Sequence, residues 1–342
     1  MKNYLYRLSL LAFVIFLFFP QIAKTQQPIE LKWASPYPVG HPSYVMAVEF
    51  IDLIHKHTNN KIKISHFPAE QLGKAKDLLI ICSQGIADIA QIHITYFAGQ
   101  LPLNNVAQLP FYITASEGSK IYRTLIARSP EIQQEFAKYG VKALEGHTTM
   151  QYEVATIKKP VHRVEDLKGL KLKTAGGMYD KIARRYGIIP VSIAAAETYE
   201  AMQRGIVEGC VFNFPSIRSY RLNDHIKYIT NGMKCGGYPG AVIFNQKKWE
   251  KITPELQQGI LKAAEEAGRR WGIYWDEMLV ETIKEFSKQG IQIYNIPAQD
   301  RTKWDAPLKG IEEEYIKDLE KKNLPGRKVF NDFMKIVNEV IK

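Results

Sequence analysis

The chain has 342 residues, which exceeds the size that one hydrophobic core usually organises, so two lobes or domains are expected. Hydrophobic residues make up 46% and charged residues 24%, a balance that excludes a disordered or fibrous chain. The net charge is +11, but the 46 basic and 35 acidic residues are interspersed, and no Lys/Arg run is longer than two. This dispersed charge argues against nucleic acid as a partner.

The first residues have the pattern of a secretory signal peptide. Lys2 and Arg7 precede an apolar run at 8–19 that only Ser9 interrupts. This run is shorter than the roughly 20 residues that a transmembrane helix needs. We therefore predict that residues 1–25 direct export of the chain, and retention as an uncleaved anchor is the alternative.

From Ile29 onward, short β-like runs alternate with helical runs, which is the rhythm of an α/β sheet. In this first half, strands are predicted at 30–34, 61–67, 88–94, 141–146 and 152–158, and helices at 44–57, 73–84, 116–127 and 131–139. The alternation predicts a first α/β lobe.

A second series of elements begins after Pro160. Strands are predicted at 170–174, 190–193, 207–212, 226–230 and 240–244, and helices at 178–186 and 197–205. A second α/β lobe is therefore indicated.

The longest predicted element is a helix at 253–289. Thr253 and Pro254 supply its N-cap and first-turn proline, and Gly290 ends it. At 1.5 Å per residue the helix is roughly 50 Å long. Because this exceeds the width of one lobe, we expect the helix to bridge both.

Three cysteines, Cys82, Cys210 and Cys235, leave room for at most one intrachain disulfide. A bridge between Cys210 and Cys235 is one option in an oxidising compartment, and buried free thiols are the other. Their spacing matches neither a CxxC redox motif nor a zinc site.

Several short motifs indicate a family when they are taken together. The run EDLKGLKLKT at 165–174 is followed by TYEAMQRG at 198–205 and VEG at 207–209. Before them, in the expected order, stand QLG at 71–73, Gly85 with Asp88, and LPF at 109–111. Together they resemble the extracytoplasmic solute-binding proteins of tripartite ATP-independent periplasmic (TRAP) transporters, of the dicarboxylate-binding type. The resemblance covers nearly all of the chain after the predicted signal peptide.

The resemblance implies an α/β fold like that of type II periplasmic binding proteins, with two hinged lobes and a long helix that spans both. We expect lobe I at 28–150 and 238–278, and lobe II at 151–237 and 279–342. A cleft of this kind excludes water from one small solute as it closes. The resemblance also implies a periplasmic protein that hands its solute to the membrane subunits of a TRAP permease.

One position departs from the family. Where the family usually has an arginine that grips a ligand carboxylate, this chain has Lys173. Lysine provides a compact charge instead of a planar fork, so a carboxylate is expected to bind with less geometric definition. A second basic residue of the family is replaced near Tyr152 and Glu153. An acid near the cleft favours a ligand with an amine or several hydroxyls, and a surface position for Glu153 is the structural alternative.

Further ligand contacts are implied by positions within the matched motifs. Asn213 resembles a side chain that hydrogen-bonds the solute, and Phe212 beside it is placed to pack on an apolar part. His93 ends a predicted strand where the family has a cleft residue, and a histidine that is satisfied at the end of a strand is the alternative.

Loops after strands contribute the remaining predicted contacts, because such loops face the crevice in open α/β sheets. Tyr37, His41 and Gln71 lie in loops of this kind. Gly176 and Gly177 open a predicted helix, where bare N–H groups are suited to an anion. A structural turn explains the two glycines equally well.

The sequence contains no HExxH, GxSxG, P-loop, GxGxxG, DxDxDG or paired CxxC motif, so we predict neither catalysis nor a cofactor or metal. The function predicted is capture of a small polar organic acid by lobe closure and delivery to a TRAP permease. An amino-alcohol, a zwitterion or a polyhydroxy solute is the alternative ligand. A membrane sensor kinase is the alternative partner.

Overall fold

A computed structural model describes residues 27–341, so the predicted signal peptide at 1–25 lies outside the described residues. The strands are β1 (Ile29–Ala34), β2 (Ile62–Phe67), β3 (Ile89–His93), β4 (Val141–His147), β5 (Glu153–Thr156), β6 (Lys171–Thr174), β7 (Ile189–Ser192), β8 (Gly209–Phe212), β9 (Tyr228–Asn231), β10 (Gly240–Asn245) and β11 (Gln292–Asn295). The helices are α1 (Pro42–His57), α2 (Leu78–Ser83), α3 (Ala115–Arg128), α4 (Pro130–Ala137), α5 (Met178–Arg185), α6 (Thr198–Gln203), α7 (Phe214–Ser219), α8 (Gln246–Trp249), α9 (Pro254–Lys288), α10 (Arg301–Asp305), α11 (Ile311–Glu320) and α12 (Gly326–Val340). Across 27–341, no helix is both long enough and apolar enough to span a membrane.

The strands form two separate sheets. The first has the order β2-β1-β3-β10-β4, and the second has the order β11-β9-β5-β8-β6-β7. In the first sheet β1, β2 and β3 are parallel, whereas β10 runs antiparallel to both of its neighbours. Every residue of β3 and β10 is buried, as expected for central strands covered on both faces. We call the first sheet with the helices packed on it the first lobe, and the second sheet with its helices the second lobe.

Two segments, 148–152 and 232–239, connect the lobes and pair with each other. The Tyr152 N–H donates to the Gly236 carbonyl at 2.9 Å, and the Cys235 N–H donates to the Tyr152 carbonyl at 3.1 Å. The Gly236 N–H also donates to Gln151 Oε1 at 2.7 Å. Gly236 has φ +91°, and a Cβ there would overlap the Gln108 carbonyl, so this crossing requires glycine.

The long helix α9 begins and ends within one residue of the prediction. It packs on α1 and α3 of the first lobe, and it also contacts α7 of the second lobe. Gly272 permits a close approach, since a Cβ there would lie 2.5 Å from Ser116 Cα. The Asp276 carboxylate accepts hydrogen bonds from the Ala115 and Ser116 N–H groups at 2.8 and 3.0 Å. The helix therefore caps α3 as well as spanning the two lobes.

The C-terminal helices contact both lobes. In α11, Glu314 pairs with Arg185 of α5 at 2.8 Å, whereas α12 packs on α3 and pairs Glu339 with Arg128 at 2.8 Å. The sequence division places all of 279–342 in lobe II, but α12 of that segment packs on the first lobe. The division as a whole stays a prediction.

One local feature differs from the sequence-based expectations, and the structure decides another that the sequence left open. The helix predicted at 73–84 is confined to α2, because Gly73 has a non-helical φ of +145° and the helix begins only after Asp77. The three cysteines are buried free thiols, so the optional bridge between Cys210 and Cys235 is not formed.

Candidate ligand-binding site

A cavity lies between the two lobes and is lined from both sheets, the crossing segments and α9. The first lobe contributes Tyr37, His41, His93 and Tyr96. The space between these residues amounts to about 430 Å³, a volume that includes open solvent at its mouth. Its position after the ends of β1 and β3 matches the general rule that ligands bind beyond the carboxyl ends of parallel strands.

The first-lobe wall is a set of coupled rings. The Tyr37 hydroxyl is hydrogen-bonded to His93 Nε2, and the Tyr37 ring stacks on His41 with centroids 4.4 Å apart. His41 is the N-cap of α1, where its Nδ1 accepts the Ser43 N–H at 3.0 Å. Burial lowers the pKa of His41 to about 3 and the pKa of His93 well below its ordinary value. Both imidazoles are therefore neutral at pH 7 and act through hydrogen bonds and stacking.

A second group of rings adjoins the first, because the centroids of the His93 and Tyr238 rings are 3.8 Å apart. Tyr152 stacks on Tyr179 and Tyr238 with centroid distances of 4.9 and 5.3 Å, and Phe212 meets Tyr152 edge-on at 5.4 Å. Burial raises the pKa of Tyr152 well above its ordinary value, so its hydroxyl stays protonated. Such a wall offers ring faces and edges to a planar ligand.

Charged groups are scarce at the cavity. Among the described residues that line it, Glu70 alone has a formally charged side chain at pH 7. Its carboxylate is already engaged, because it accepts the Ala75 N–H at 2.8 Å and pairs with Lys74 at 3.0 Å. No group of three or more His, Cys, Asp or Glu side chains within 27–341 is arranged to hold a metal ion.

Lys173 lies directly behind the aromatic wall. Its side chain is completely buried, and Nζ stands 4.0 Å from the centroid of the Phe212 ring. Within the described part of the chain, Nζ has no hydrogen-bond partner. Burial lowers the pKa of Lys173 to about 8, so the ammonium form still predominates at pH 7. Phe212 lines the cavity and thus contacts both the cavity and the buried charge.

A model of the bacterial extracellular solute-binding protein family 7 matches residues 34–318. The chain belongs to this family. The resemblance to TRAP solute-binding proteins is thereby confirmed, and the protein is a solute-binding component of a transport system.

Curated relatives of this solute-binding protein cover most of its length. The 2,3-diketo-L-gulonate-binding periplasmic protein YiaO of Escherichia coli is 24% identical over 81% of this chain and 84% of its own. The C4-dicarboxylate-binding periplasmic protein DctP of Rhodobacter capsulatus is 24% identical over 84% of this chain and 86% of its own.

Solved structures confirm the two-lobed α/β fold of this solute-binding protein. A TRAP solute-binding protein from Bordetella bronchiseptica with bound mandelate superposes with a TM-score of 0.82, at 22% identity over 91% of this chain and 99% of that one. A marine metagenome TRAP solute-binding protein specific for aromatic acids, in complex with 3-hydroxybenzoate, superposes with a TM-score of 0.85. It is 22% identical over 92% of this chain and 100% of that one.

Five of the residues predicted from the sequence line the cavity of this solute-binding protein: Tyr37, His41, His93, Tyr152 and Phe212. That they contact a solute stays a prediction. Sequence reasoning missed Tyr96, Tyr220, Tyr238 and Trp275, which line the same cavity from four different segments. Only Tyr96 carried a signal, since it follows the end of a predicted strand by two residues.

The other predicted contacts lie outside the cavity wall. Gln71 is exposed, and Gly176 forms a turn at φ +86° before α5. Asn213 is the N-cap of α7, where Oδ1 accepts the Ser216 N–H at 2.8 Å, but its buried Nδ2 has no partner among the described residues.

Glu153 points away from the cavity and holds a turn of the second crossing segment. Its Oε2 accepts the N–H groups of Gly232 and Met233 at 2.8 and 2.7 Å. Burial raises the pKa of Glu153 to about 8, so the carboxyl group is mostly protonated at pH 7. The suggestion that Glu153 selects an amine therefore has no support from its position, which is structural.

Proposed function

We propose that this protein captures a small aromatic monocarboxylic acid in the periplasm and delivers it to the membrane subunits of a TRAP permease. Residues 1–25 would direct its export, and the protein would release the solute chemically unchanged. The observation that carries the proposal is the aromatic lining of the cavity between the lobes. The aliphatic and polyhydroxy solutes considered from the sequence would leave these ring faces without a matching surface.

The wall chemistry favours a planar ring. Aromatic pairs prefer offset-stacked or edge-to-face contacts, and the Tyr37 and Tyr152 groups both supply rings to the cavity wall. The mandelate and 3-hydroxybenzoate complexes of the two solved relatives support the same ligand class.

The proposed partner of the carboxylate is Lys173. A buried ammonium without a partner is unfavourable, and a carboxylate that reaches it would offset that desolvation. The Phe212 ring lies against Nζ, so the ligand reaches the charge once that ring turns aside. The free Nδ2 of Asn213, next in the chain to Phe212, is a second donor for the same carboxylate.

The test is a thermal-shift screen of the purified protein without residues 1–25. Benzoate, 3-hydroxybenzoate and mandelate should raise the melting temperature, because a ligand at a thousand times its Kd adds about 4 kcal/mol to the free energy of unfolding. Benzyl alcohol is the matched control that keeps the ring and lacks the charge. Stabilisation by succinate, glucuronate or phenethylamine, with none by the aromatic acids, would refute the proposed ligand class.

Localisation and delivery are tested separately. The chain should be recovered in the osmotic-shock fraction of cells that express it with residues 1–25. Uptake of the stabilising acid into vesicles that contain a TRAP permease should depend on added protein. Recovery in the cytoplasm, or uptake without the protein, would contradict these parts of the proposal.

A further inference from the structure

One hydrogen bond joins the two lobes at the cavity itself. Tyr96 lies in a short 3-10 helix, Ile94–Phe97, that directly follows β3 of the first lobe. Across the cavity, the 3-10 helix Ala195–Glu197 follows β7 of the second lobe. The Ala195 N–H donates to the Tyr96 hydroxyl oxygen at 3.1 Å, and both residues line the cavity.

The Tyr96 hydroxyl retains a donor when it accepts this bond. A phenol has one O–H donor and can accept through its oxygen lone pairs, so accepting the Ala195 N–H leaves the Tyr96 proton available to the hydroxyl of Tyr238, whose ring lies edge-on at 6.3 Å, or to a solute. Burial raises the pKa of Tyr96, which keeps that proton on the oxygen at neutral pH. Its O–H can therefore donate to an acceptor atom of a bound solute.

We propose that Tyr96 couples solute binding to lobe closure, by donating to the solute while accepting the N–H of Ala195 from the other lobe. Consecutive hydrogen bonds polarise one another. A solute that accepts from the Tyr96 O–H therefore strengthens the hydrogen bond from the Ala195 N–H to the Tyr96 oxygen. A solute that binds the bonded state better shifts the lobes toward closure. The identity of the solute rests on the proposed function, whereas the bond between the lobes does not.

Two substitutions separate the parts of this arrangement. Tyr96→Phe removes the hydroxyl and with it both bonds. Ala195→Pro removes only the N–H, and its backbone suits proline: Ala194 has φ −63° and ψ 151°, and Ala195 is the first residue of its 3-10 helix. Tyr199→Phe is the control, because the Tyr199 hydroxyl contacts Asp224 at 3.3 Å within the second lobe and does not line the cavity.

Lobe closure is measured by single-molecule energy transfer between dyes on Lys56→Cys and Arg204→Cys. Both sites are exposed, on the first and the second lobe, and the three native cysteines are buried. The distribution of energy-transfer efficiencies is recorded without added solute and with 3-hydroxybenzoate. Tyr96→Phe and Ala195→Pro should both lower the closed fraction, and the control should match the wild type. An unchanged closed fraction in Ala195→Pro under both conditions would overturn the coupling.

Dissociation of 3-hydroxybenzoate, followed by the change in tryptophan fluorescence to which Trp275 in the cavity wall contributes, gives the second readout. One lost hydrogen bond should speed dissociation about 3- to 10-fold in Ala195→Pro, and Tyr96→Phe should lose at least as much. The double variant should match Tyr96→Phe within about twofold, because the two changes remove one shared bond. If the fold-changes in dissociation rate of the two single variants multiply in the double variant, or if only Tyr96→Phe speeds dissociation, then Tyr96 is only a ligand contact and does not couple binding to closure.

The outcomes distinguish this inference from the proposed function. If no aromatic acid binds, yet both variants lower the closed fraction without solute, the bond between the lobes stands and the ligand class fails. If 3-hydroxybenzoate binds all variants alike, the ligand class stands and the coupling fails. If Ala195→Pro does not fold, as judged by its melting curve, Tyr96→Phe decides: an unchanged closed fraction without solute would overturn the coupling.

Discussion

Replacing Lys173 with methionine should stabilise the fold while weakening the capture of the acid. Methionine keeps much of the side-chain length and removes a charge that is fully buried and has no partner in the described chain. The pKa of Lys173 falls from its ordinary 10.5 to about 8, which corresponds to about 3 kcal/mol of unfavourable burial of the charged form. Lys173→Met should therefore raise the free energy of unfolding by up to about 3 kcal/mol at pH 7. Urea unfolding measures this difference.

The sign of the pH dependence follows from the same pKa. Between about pH 8 and 10.5, the unfolded chain binds more protons at Lys173 than the folded chain, so wild-type stability rises with pH in that window. Below pH 8 the wild type bears the whole cost of the buried charge. The advantage of Lys173→Met should accordingly shrink from pH 8 to 10.5. Lys171→Met is the matched control, because Lys171 is exposed on the same strand.

Binding should change in the opposite direction. A hydrogen bond to a charged group contributes about 1.5–3 kcal/mol, so Lys173→Met should weaken binding of the aromatic acid about 10- to 150-fold by calorimetry. In the wild type, affinity should fall about tenfold per pH unit above pH 8, as the ammonium of Lys173 is lost. Undiminished affinity in Lys173→Met would refute the carboxylate assignment. A less stable Lys173→Met protein would show that Nζ has a partner that stabilises its charge.

Two further substitutions test the packing of Gly240 on His147 and the titration of the buried Glu153 carboxyl group. Gly240→Ala should destabilise the protein by about 1–3 kcal/mol in urea, because a Cβ there would overlap the buried His147 ring, and an unchanged unfolding midpoint would contradict this packing. From pH 5 to pH 8 the wild type should lose stability relative to Glu153→Gln, because the folded pKa of Glu153 is raised to about 8 and its contribution disappears as the pH rises through that value. Parallel pH profiles of these two proteins would show that the carboxyl of Glu153 does not titrate as its burial requires.

Much of the fold follows from local pattern. The long helix was predictable to within a residue, because Thr253, Pro254 and Gly290 are chemically specific start and stop signals. Ten of the eleven strands in the described residues followed from apolar runs, and β11 was missed. Helix α7 gave a weaker signal, because a six-residue segment with proline at its second position has the pattern of a loop. Only the N-cap Asn213 indicates that a helix begins there.

The site was only partly predictable. Tyr152 and Glu153 are adjacent, and in a strand adjacent side chains face opposite sides, so a register uncertain by one residue could not tell the cavity residue from the structural one. Trp275 belongs to a helix whose other face is core, and Tyr238 belongs to a crossing segment without regular structure. Only the fold brings such distant residues to one wall, because no local spacing relates them.

The paired crossing segments also determine how the protein can move. Since the backbones near Tyr152 and Gly236 are hydrogen-bonded to each other, the two connections bend together as one ribbon. We expect opening to be a rotation of the lobes about this ribbon, in which α9, which also spans the two lobes, has to bend or slide. Any pair of labelled positions on opposite lobes should therefore report the same rotation, whichever solute drives it.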